Sequence, residues 1–258
     1  MIKKLIFTSL LLIASCLQTS CAITVRKIKP PQKAFALVKS AVELLVYECK
    51  EDKKTKEKKC DYSSAGKRVA LGSGTFFSYK GYTSFMTAGH VCLGPAFEIW
   101  NNIPNKSKVL TSITLKSYTG HEIKGKIKYV NLKYDMCIID AVHPVIKNLP
   151  KIALSKPVLH DNYYSISAPA SIFHVGMVPV LTGLYTGDYK KFSFYTIPTA
   201  PGGSGAPIYN KDNKVVGIIQ RTHSIFPHVA LSIKYKDLKD VMERYVEIKA
   251  QDLNAIIE

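Results

Sequence analysis

The feature that most restricts the fold of this chain is a succession of short, turn-bounded apolar segments beginning near Leu71. Residues 72–79 predict one strand, Lys80 and Gly81 a tight turn, and residues 82–87 a second strand, which together form a hairpin. Further strands are predicted at 109–118, 125–131, 136–141, 163–167, 178–186, 192–197, 206–209, 215–220 and 228–232. Short strands at regular spacing indicate an all-β barrel or sandwich.

Two segments have a different pattern. Residues 36–47 are apolar and fit either a helix or a strand. Residues 236–245 have helical spacing, with Leu238, Val241, Met242 and Tyr245 on one stripe. The chain has 258 residues, and all-β domains of roughly 200–250 residues commonly fold as one unit. A single domain that ends in a helix is therefore expected.

The N-terminus has the pattern of an export signal. Lys3 and Lys4 precede an apolar stretch at 5–14 that is short for a membrane span. The sequence before Cys16 resembles a bacterial lipobox, which predicts cleavage before Cys16 and lipidation of that residue. Cleavage after Ala22 is the second interpretation, and a retained membrane anchor is the third. We expect a periplasmic or extracellular protein, attached to a membrane only where Cys16 is lipidated.

The chain is strongly basic. Its 36 Lys and Arg residues exceed its 19 Asp and Glu residues, for a formal net charge of +17. Such a charge suits attraction to an anionic cell-envelope surface or to nucleic acid. The cations are dispersed, apart from a lysine-rich loop at 50–59, and no nucleic-acid recognition motif accompanies them. A solvated, lysine-rich surface is the favoured interpretation, and no specific nucleic-acid partner is indicated.

Three short segments carry the chemistry. They are Thr-Ala-Gly-His-Val at 87–91, Tyr-Asp-Met-Cys-Ile-Ile at 134–139 and Pro-Gly-Gly-Ser-Gly-Ala-Pro at 201–207. A serine hydroxyl needs a neighbouring base to become a nucleophile, and an imidazole needs a carboxylate to hold its tautomer. His90, Asp135 and Ser204 supply these three groups.

These segments resemble the signatures of trypsin-like, chymotrypsin-fold serine peptidases, in the chain order His, Asp, Ser that this fold uses. The resemblance spans 72–245 and implies two six-stranded antiparallel β-barrels followed by a helix. The export signal predicts a leader at 1–22, the Pro30-Pro31 pair indicates an arm at 23–35, and the resemblance implies a peptidase domain at 36–258. Within that domain the barrels are expected near 36–150 and 151–235, and the helix near 236–246. By the same resemblance, the backbone N–H groups of Gly202 and Ser204 form the oxyanion hole.

Two positions depart from the trypsin pattern. Gly203 stands where trypsin-type enzymes carry an aspartate, so activation by pairing of a new N-terminus with that aspartate is not expected. The pattern is closer to compact bacterial and viral members, including HtrA-like and glutamyl-endopeptidase-like enzymes. Gln220 stands where the family often has a serine that supports the catalytic aspartate.

The resemblance also implies where substrate binds. The specificity pocket is walled by residues 198–201, with Thr199 prominent, and by the strand at 217–222, which pairs with substrate backbone. The residues assigned to substrate binding are Thr199, Ile219, Gln220, Arg221 and Thr222. No aspartate occupies the base of this pocket, so cleavage after Lys or Arg is not indicated. We expect cleavage after a small or medium apolar residue.

Export makes disulfide bonds chemically feasible. Cys49 and Cys60 bracket the lysine-rich loop, and we expect them to be bonded. Cys92 and Cys137 each lie two residues beyond a proposed catalytic residue, and a second bond or two buried thiols fit equally well. The chain has no C-x-x-C pair and no Cys/His spacing that suits zinc.

The sequence therefore predicts an exported serine endopeptidase that acts on polypeptides through an acyl-enzyme intermediate, without a metal or an organic cofactor. The alternative is a binding module that keeps the fold but has no turnover and uses its basic surface to hold anionic envelope or nucleic-acid partners.

Overall fold

A computed structural model describes residues 29–51, 55–100, 107–153, 155–223 and 225–257, so the predicted leader, including Cys16, lies outside the described residues. The first half of the chain forms a closed antiparallel barrel with strand order β1-β2-β3-β6-β5-β4. Its strands are β1 (Phe35–Glu51), β2 (Lys58–Tyr79), β3 (Tyr82–Ala88), β4 (Ser107–Ser117), β5 (Glu122–Asn131) and β6 (Met136–Asp140).

The second half forms another closed antiparallel barrel, with strand order β10-β11-β12-β9-β8-β7. Its strands are β7 (Asn162–Ile166), β8 (Val180–Tyr189), β9 (Phe192–Tyr195), β10 (Pro207–Tyr209), β11 (Val215–Thr222) and β12 (Ala230–Ile233). The predicted pair of six-stranded antiparallel barrels is thus confirmed.

The segment at 36–47, which fitted a helix or a strand, is part of β1. Its burial alternates as a strand requires, because Ala36, Val38, Ser40 and Val42 are fully buried while Lys39 is exposed. β1 pairs with β2 on one side and with β4 on the other. Beyond the barrel, β1 and β2 continue as a long hairpin, which the predicted Cys49–Cys60 disulfide bond joins near its tip.

Two helices complete the described fold. Helix α1 (Gly89–Trp100) follows β3 directly and was not predicted from the sequence. Helix α2 (Tyr235–Ile257) contains the predicted helix and continues beyond it. Neither α1 nor α2 is both long and apolar enough to cross a membrane.

Helix α2 joins the two barrels. It follows β12 of the second barrel, yet Tyr245 is buried against Phe77 of the first barrel and shares a 2.6 Å hydrogen bond with the Ser84 hydroxyl. The Lys80 ammonium forms a 2.6 Å ion pair with Glu243 on the same helix. The apolar stripe of α2 thereby packs into a core shared by both barrels. This packing fixes the positions of the two barrels relative to each other, and the predicted catalytic residues lie in the cleft between them.

Candidate active site

His90 and Asp135 are joined by hydrogen bonds through both the backbone and the side chain of His90. The His90 Nδ1 atom lies 2.9 Å from Asp135 Oδ2, and the His90 backbone N–H donates to Asp135 Oδ1 at 2.8 Å. Because a carboxylate oxygen without a proton can only accept, this contact selects, for a neutral His90, the tautomer with the proton on Nδ1 and the lone pair on Nε2. The imidazole is therefore in the tautomer that a general base requires.

The backbone at Asp135 is bent to present this carboxylate. Asp135 has a φ of 47°, a left-handed conformation that aspartate tolerates better than most residues. Its N–H donates to the Leu132 carbonyl at 3.3 Å, and the Gln220 side-chain amide donates to the Tyr134 carbonyl. Gln220, at a position where the family often has a serine that supports the catalytic aspartate, thus supports Asp135 through the adjacent peptide. The Asp135 side chain is 23% exposed, so it is only partly enclosed.

The same carboxylate caps helix α1. The first turn of α1 contains no acidic residue, and its N–H at His90 is satisfied by Asp135, 45 residues away. A Cβ on Gly89 would lie 3.1 Å from Asp135 Oδ1, so glycine allows this close approach. A helix N-terminus favours a negative charge. The contact therefore caps the start of α1 and fixes His90 in the first turn.

A disulfide bond ties these two segments together. Cys92 on α1 is bonded to Cys137 on β6, and the chain between them spans 45 positions. Both side chains are fully buried. This finding selects the bridge over the two free thiols that the sequence left open. Because each cysteine lies two residues beyond His90 or Asp135, the bond fixes the separation of the segments that carry the pair.

Removal of this bond in a Cys92→Ala/Cys137→Ala double variant is expected to lower the free energy of unfolding by about 4 kcal/mol and also to lower activity. Removal of the remote Cys49–Cys60 bond, which closes a shorter loop, should cost about 3 kcal/mol and leave activity unchanged. Denaturant unfolding and a peptidase assay compare the two variants. Equal losses of activity would contradict a special role for Cys92–Cys137.

Ser204 lies in a turn that only glycines allow. Gly202 and Gly205 have φ values of 94° and 85°, in the left-handed region. The turn is closed by a 2.9 Å hydrogen bond from the Gly203 N–H to the Ala200 carbonyl. Among the described residues, no acceptor is bonded to the N–H of Gly202 or Ser204. The two N–H groups of the predicted oxyanion hole are thus available to donate to a substrate oxygen.

Ser73 holds this turn and was missed by sequence reasoning. Its N–H donates to the Ser204 carbonyl at 2.8 Å and its hydroxyl donates to the Gly202 carbonyl at 2.7 Å. The hydroxyl also accepts from the Ala168 N–H at 2.9 Å, and the Ser73 carbonyl accepts from the Thr87 hydroxyl at 2.8 Å. Ser73 therefore links the first barrel to both predicted oxyanion residues. The one signal in the sequence is Gly-Ser-Gly at 72–74, because two glycines within a predicted strand indicate a close backbone approach.

Ser73→Ala is expected to leave two buried backbone groups without partners, which lowers the free energy of unfolding by about 1–3 kcal/mol. A loosened Gly202 peptide should also lower kcat/KM by about 10- to 100-fold. Ser84→Ala is the matched control, because it also removes a buried hydroxyl and its 2.6 Å bond to Tyr245, but far from the turn. If both variants lost the same activity, the positioning role of Ser73 would be refuted.

The turn is pressed against the strand that leads to His90. A Cβ on Gly205 would overlap the Thr87 hydroxyl and the Ser73 carbonyl, and would approach the Ala88 nitrogen at 2.8 Å. Ser204 precedes Gly205 and is half-buried. The fold thus brings Ser204 to the end of β3, next to the first turn of α1, which carries His90.

The residues assigned to substrate binding flank this turn. Thr199 is 5% exposed, and its hydroxyl has no hydrogen-bond partner among the described residues. Ile219 packs inside the second barrel, and its carbonyl accepts from the Gly205 N–H at 2.7 Å. Arg221 is exposed at the end of β11, and the Thr222 hydroxyl donates to the Thr199 carbonyl at 3.4 Å. The unpartnered Thr199 hydroxyl lies close to Gly203, and a Cβ at position 203 would overlap it.

Comparison with known proteins shows the family of this chain and a similar fold. A family model described as a trypsin-like peptidase domain matches residues 72–218. Among solved structures, the fold is similar to the serine endoprotease from Yersinia pestis, with 16% identity and a TM-score of 0.54. The alignment covers 84% of this chain and 64% of that protein, so this chain spans less than two thirds of its length. A comparison with curated proteins found no match.

Proposed function

Because the chain belongs to the trypsin-like peptidase family, we propose that it is an exported serine endopeptidase in which His90, Asp135 and Ser204 form the catalytic triad. The observation that carries this proposal is the pair of hydrogen bonds between His90 and Asp135, of which the Nδ1 bond measures 2.9 Å. It leaves Nε2 free to act as a base, and the glycine turn presents Ser204 beside the same strand end.

The reaction proceeds in two halves. Ser204 Oγ attacks the substrate carbonyl while His90 Nε2 accepts its proton, and Asp135 stabilises the imidazolium that results. His90 then gives the proton to the leaving amine as the C–N bond breaks, which leaves an ester on Ser204. A water molecule, deprotonated by His90, attacks this ester and releases the acid with the free serine.

The oxyanion of each tetrahedral intermediate requires preorganised donors. We assign this role to the N–H groups of Gly202 and Ser204, which have no acceptor among the described residues. Ser73 holds the carbonyls of both residues, so the two N–H groups need not reorganise during the reaction. One such donor typically contributes about 3–4 kcal/mol to transition-state stabilisation.

The substrate is a polypeptide, and we propose that it pairs with the end of β11 at Gln220, Arg221 and Thr222. The pocket for the residue at the scissile bond is formed by Thr199 and the backbone beside Ile219. No aspartate occupies the base of this pocket, so we expect it to take a small or medium apolar side chain, with the buried Thr199 hydroxyl as one polar group in its wall.

Export is supported by the two disulfide bonds, because such bonds persist in oxidising compartments. The sequence of the leader leaves two mature N-termini, a lipidated Cys16 or a residue just after Ala22. Intact mass spectrometry of the protein recovered from expressing cells separates them, since lipidation adds acyl chains to Cys16.

Cleavage of a denatured proteome tests the proposed activity and reads the specificity. The wild-type protein is expected to produce new peptide termini with a small or medium apolar residue before the cut, and His90→Ala should produce none. His160→Ala is the matched control, because His160 lies in an exposed turn of the second barrel. If wild type and His90→Ala gave the same termini, the proposed triad would be wrong.

A further inference from the structure

A cavity of about 830 Å³ opens beside the His90–Asp135 pair. Its walls come from His90 and from four segments: the turn at 132–135, the β8–β9 turn at 190–192, the end of β11 at 220–221, and the junction of β12 with α2 at 233–237. A volume of this size is within the range of ligand-binding pockets. Ser204 is not among its lining residues. The cavity is therefore next to the catalytic pair but separate from the point of bond cleavage.

The lining of this cavity is strongly basic. Six cationic side chains line it, namely Lys133, Lys190, Lys191, Arg221, Lys234 and Lys236. The acidic lining residues are Asp135, which is hydrogen-bonded to His90, and Asp237. None of the six cations forms an ion pair with a described residue. Like charges gathered around a concave surface focus a positive potential into it.

The position of the cavity indicates what enters it. A peptide that pairs with the end of β11 runs past Gln220 and Arg221, which line the cavity. Substrate side chains a few residues from the scissile bond then project over the six cations. Aspartate and glutamate side chains would relieve the mutual repulsion of these cations, whereas lysine and arginine side chains would add to it.

We propose that this cavity is an extended subsite that selects polypeptides with acidic side chains a few residues from the scissile bond. This inference rests on the proposed peptidase function, and it concerns a surface separate from the pocket at Thr199. The selection is electrostatic, so it weakens as ionic strength rises.

The test uses peptide pairs that differ only by aspartate or asparagine, scanned across the positions on both sides of one cleavage site. Wild type is expected to favour aspartate by about tenfold in kcat/KM at one or more of these positions at low salt. Lys191→Glu/Lys236→Glu should lose or invert that preference. Lys124→Glu/Lys147→Glu is the control for net charge and should keep the preference, because Lys124 on β5 and Lys147 in the segment after β6 are both exposed and lie outside the cavity lining.

Labelling of Ser204 by a fluorophosphonate in the same samples separates the two proposals. Labelling without any preference for aspartate would overturn the acidic subsite alone, and absence of labelling in wild type would overturn the peptidase function. If wild type is not labelled, binding is measured instead, by fluorescence anisotropy of an Asp-rich peptide and of its Asn-matched partner mixed with the protein. Tighter binding of the Asp-rich peptide would show that the cavity binds acidic chains. If inorganic polyphosphate bound through the cavity lysines while the peptide pairs bound equally, the inference of peptide selection would be wrong.

Discussion

Ser204→Ala is expected to abolish peptide-bond hydrolysis, with a fall in kcat on the order of 10⁶-fold. The substitution removes the only atom that becomes covalently bonded to substrate. It should leave the fold intact, because the turn is held through the Ser204 carbonyl, which accepts from the Ser73 N–H at 2.8 Å, and not through the hydroxyl. Progress curves with a fluorogenic peptide measure the rate, and thermal unfolding checks that Tm is unchanged.

Ser155→Ala is the matched control for this prediction, since Ser155 is an exposed serine of the loop before the second barrel. Its activity should equal that of wild type. A Ser204→Ala protein with wild-type turnover would exclude the acyl-enzyme mechanism and favour either a different nucleophile or a contaminating peptidase.

Asp135→Asn is expected to lower kcat by about 10⁴-fold at neutral pH. The two carboxylate oxygens of Asp135 accept from two different donors, the His90 backbone N–H at 2.8 Å and Nδ1 at 2.9 Å. An asparagine has one oxygen, so its NH₂ group would face Nδ1 and require that atom to accept. Nε2 would then carry the proton and could not act as the base.

Steady-state kinetics at neutral pH measure this effect, with Asp240→Asn on the exposed face of α2 as the control. Because asparagine is nearly isosteric with aspartate, KM should change little while kcat falls. If Asp135→Asn kept more than a tenth of wild-type kcat, the tautomer argument would be refuted.

Much of the fold could be predicted because its strands and turns are determined by residues that are close together in the sequence. Alternating apolar positions and turn residues mark individual strands, and the glycines around Ser204 mark a turn with left-handed backbone. The chain order of His90, Asp135 and Ser204 then selects the two-barrel arrangement by resemblance. The disulfide bond between Cys49 and Cys60 was also predictable, because the two residues bracket one short loop.

The features that were missed depend on partners far apart in sequence. The first turn of helix α1 has no acidic residue, and the carboxylate that caps it belongs to Asp135, 45 residues away from His90. The hydroxyl of Ser73 bonds to Gly202, which is 129 residues away. The Cys92–Cys137 bond depends on how α1 packs on β6, which spacing alone did not decide.

The basic cavity illustrates the same limit. Its six cations come from separate segments that only the closed barrels bring together, so the sequence showed them as part of a dispersed charge. The sequence could therefore indicate an anionic partner for the whole surface, but it could not place a charged subsite beside His90.

The most direct test of the triad is site-mapped labelling of the folded protein with a fluorophosphonate, which reacts only with a serine activated by its base. Tryptic mass spectrometry is expected to place the adduct on Ser204 in wild type, with no adduct at that position in Ser204→Ala and a strongly reduced yield in His90→Ala and Asp135→Asn. The control proteins Ser155→Ala and Asp240→Asn should label as wild type does. Folded wild-type protein that stays unlabelled, or that labels equally well without His90, would contradict the assignment of a working triad and favour a binding module of the same fold.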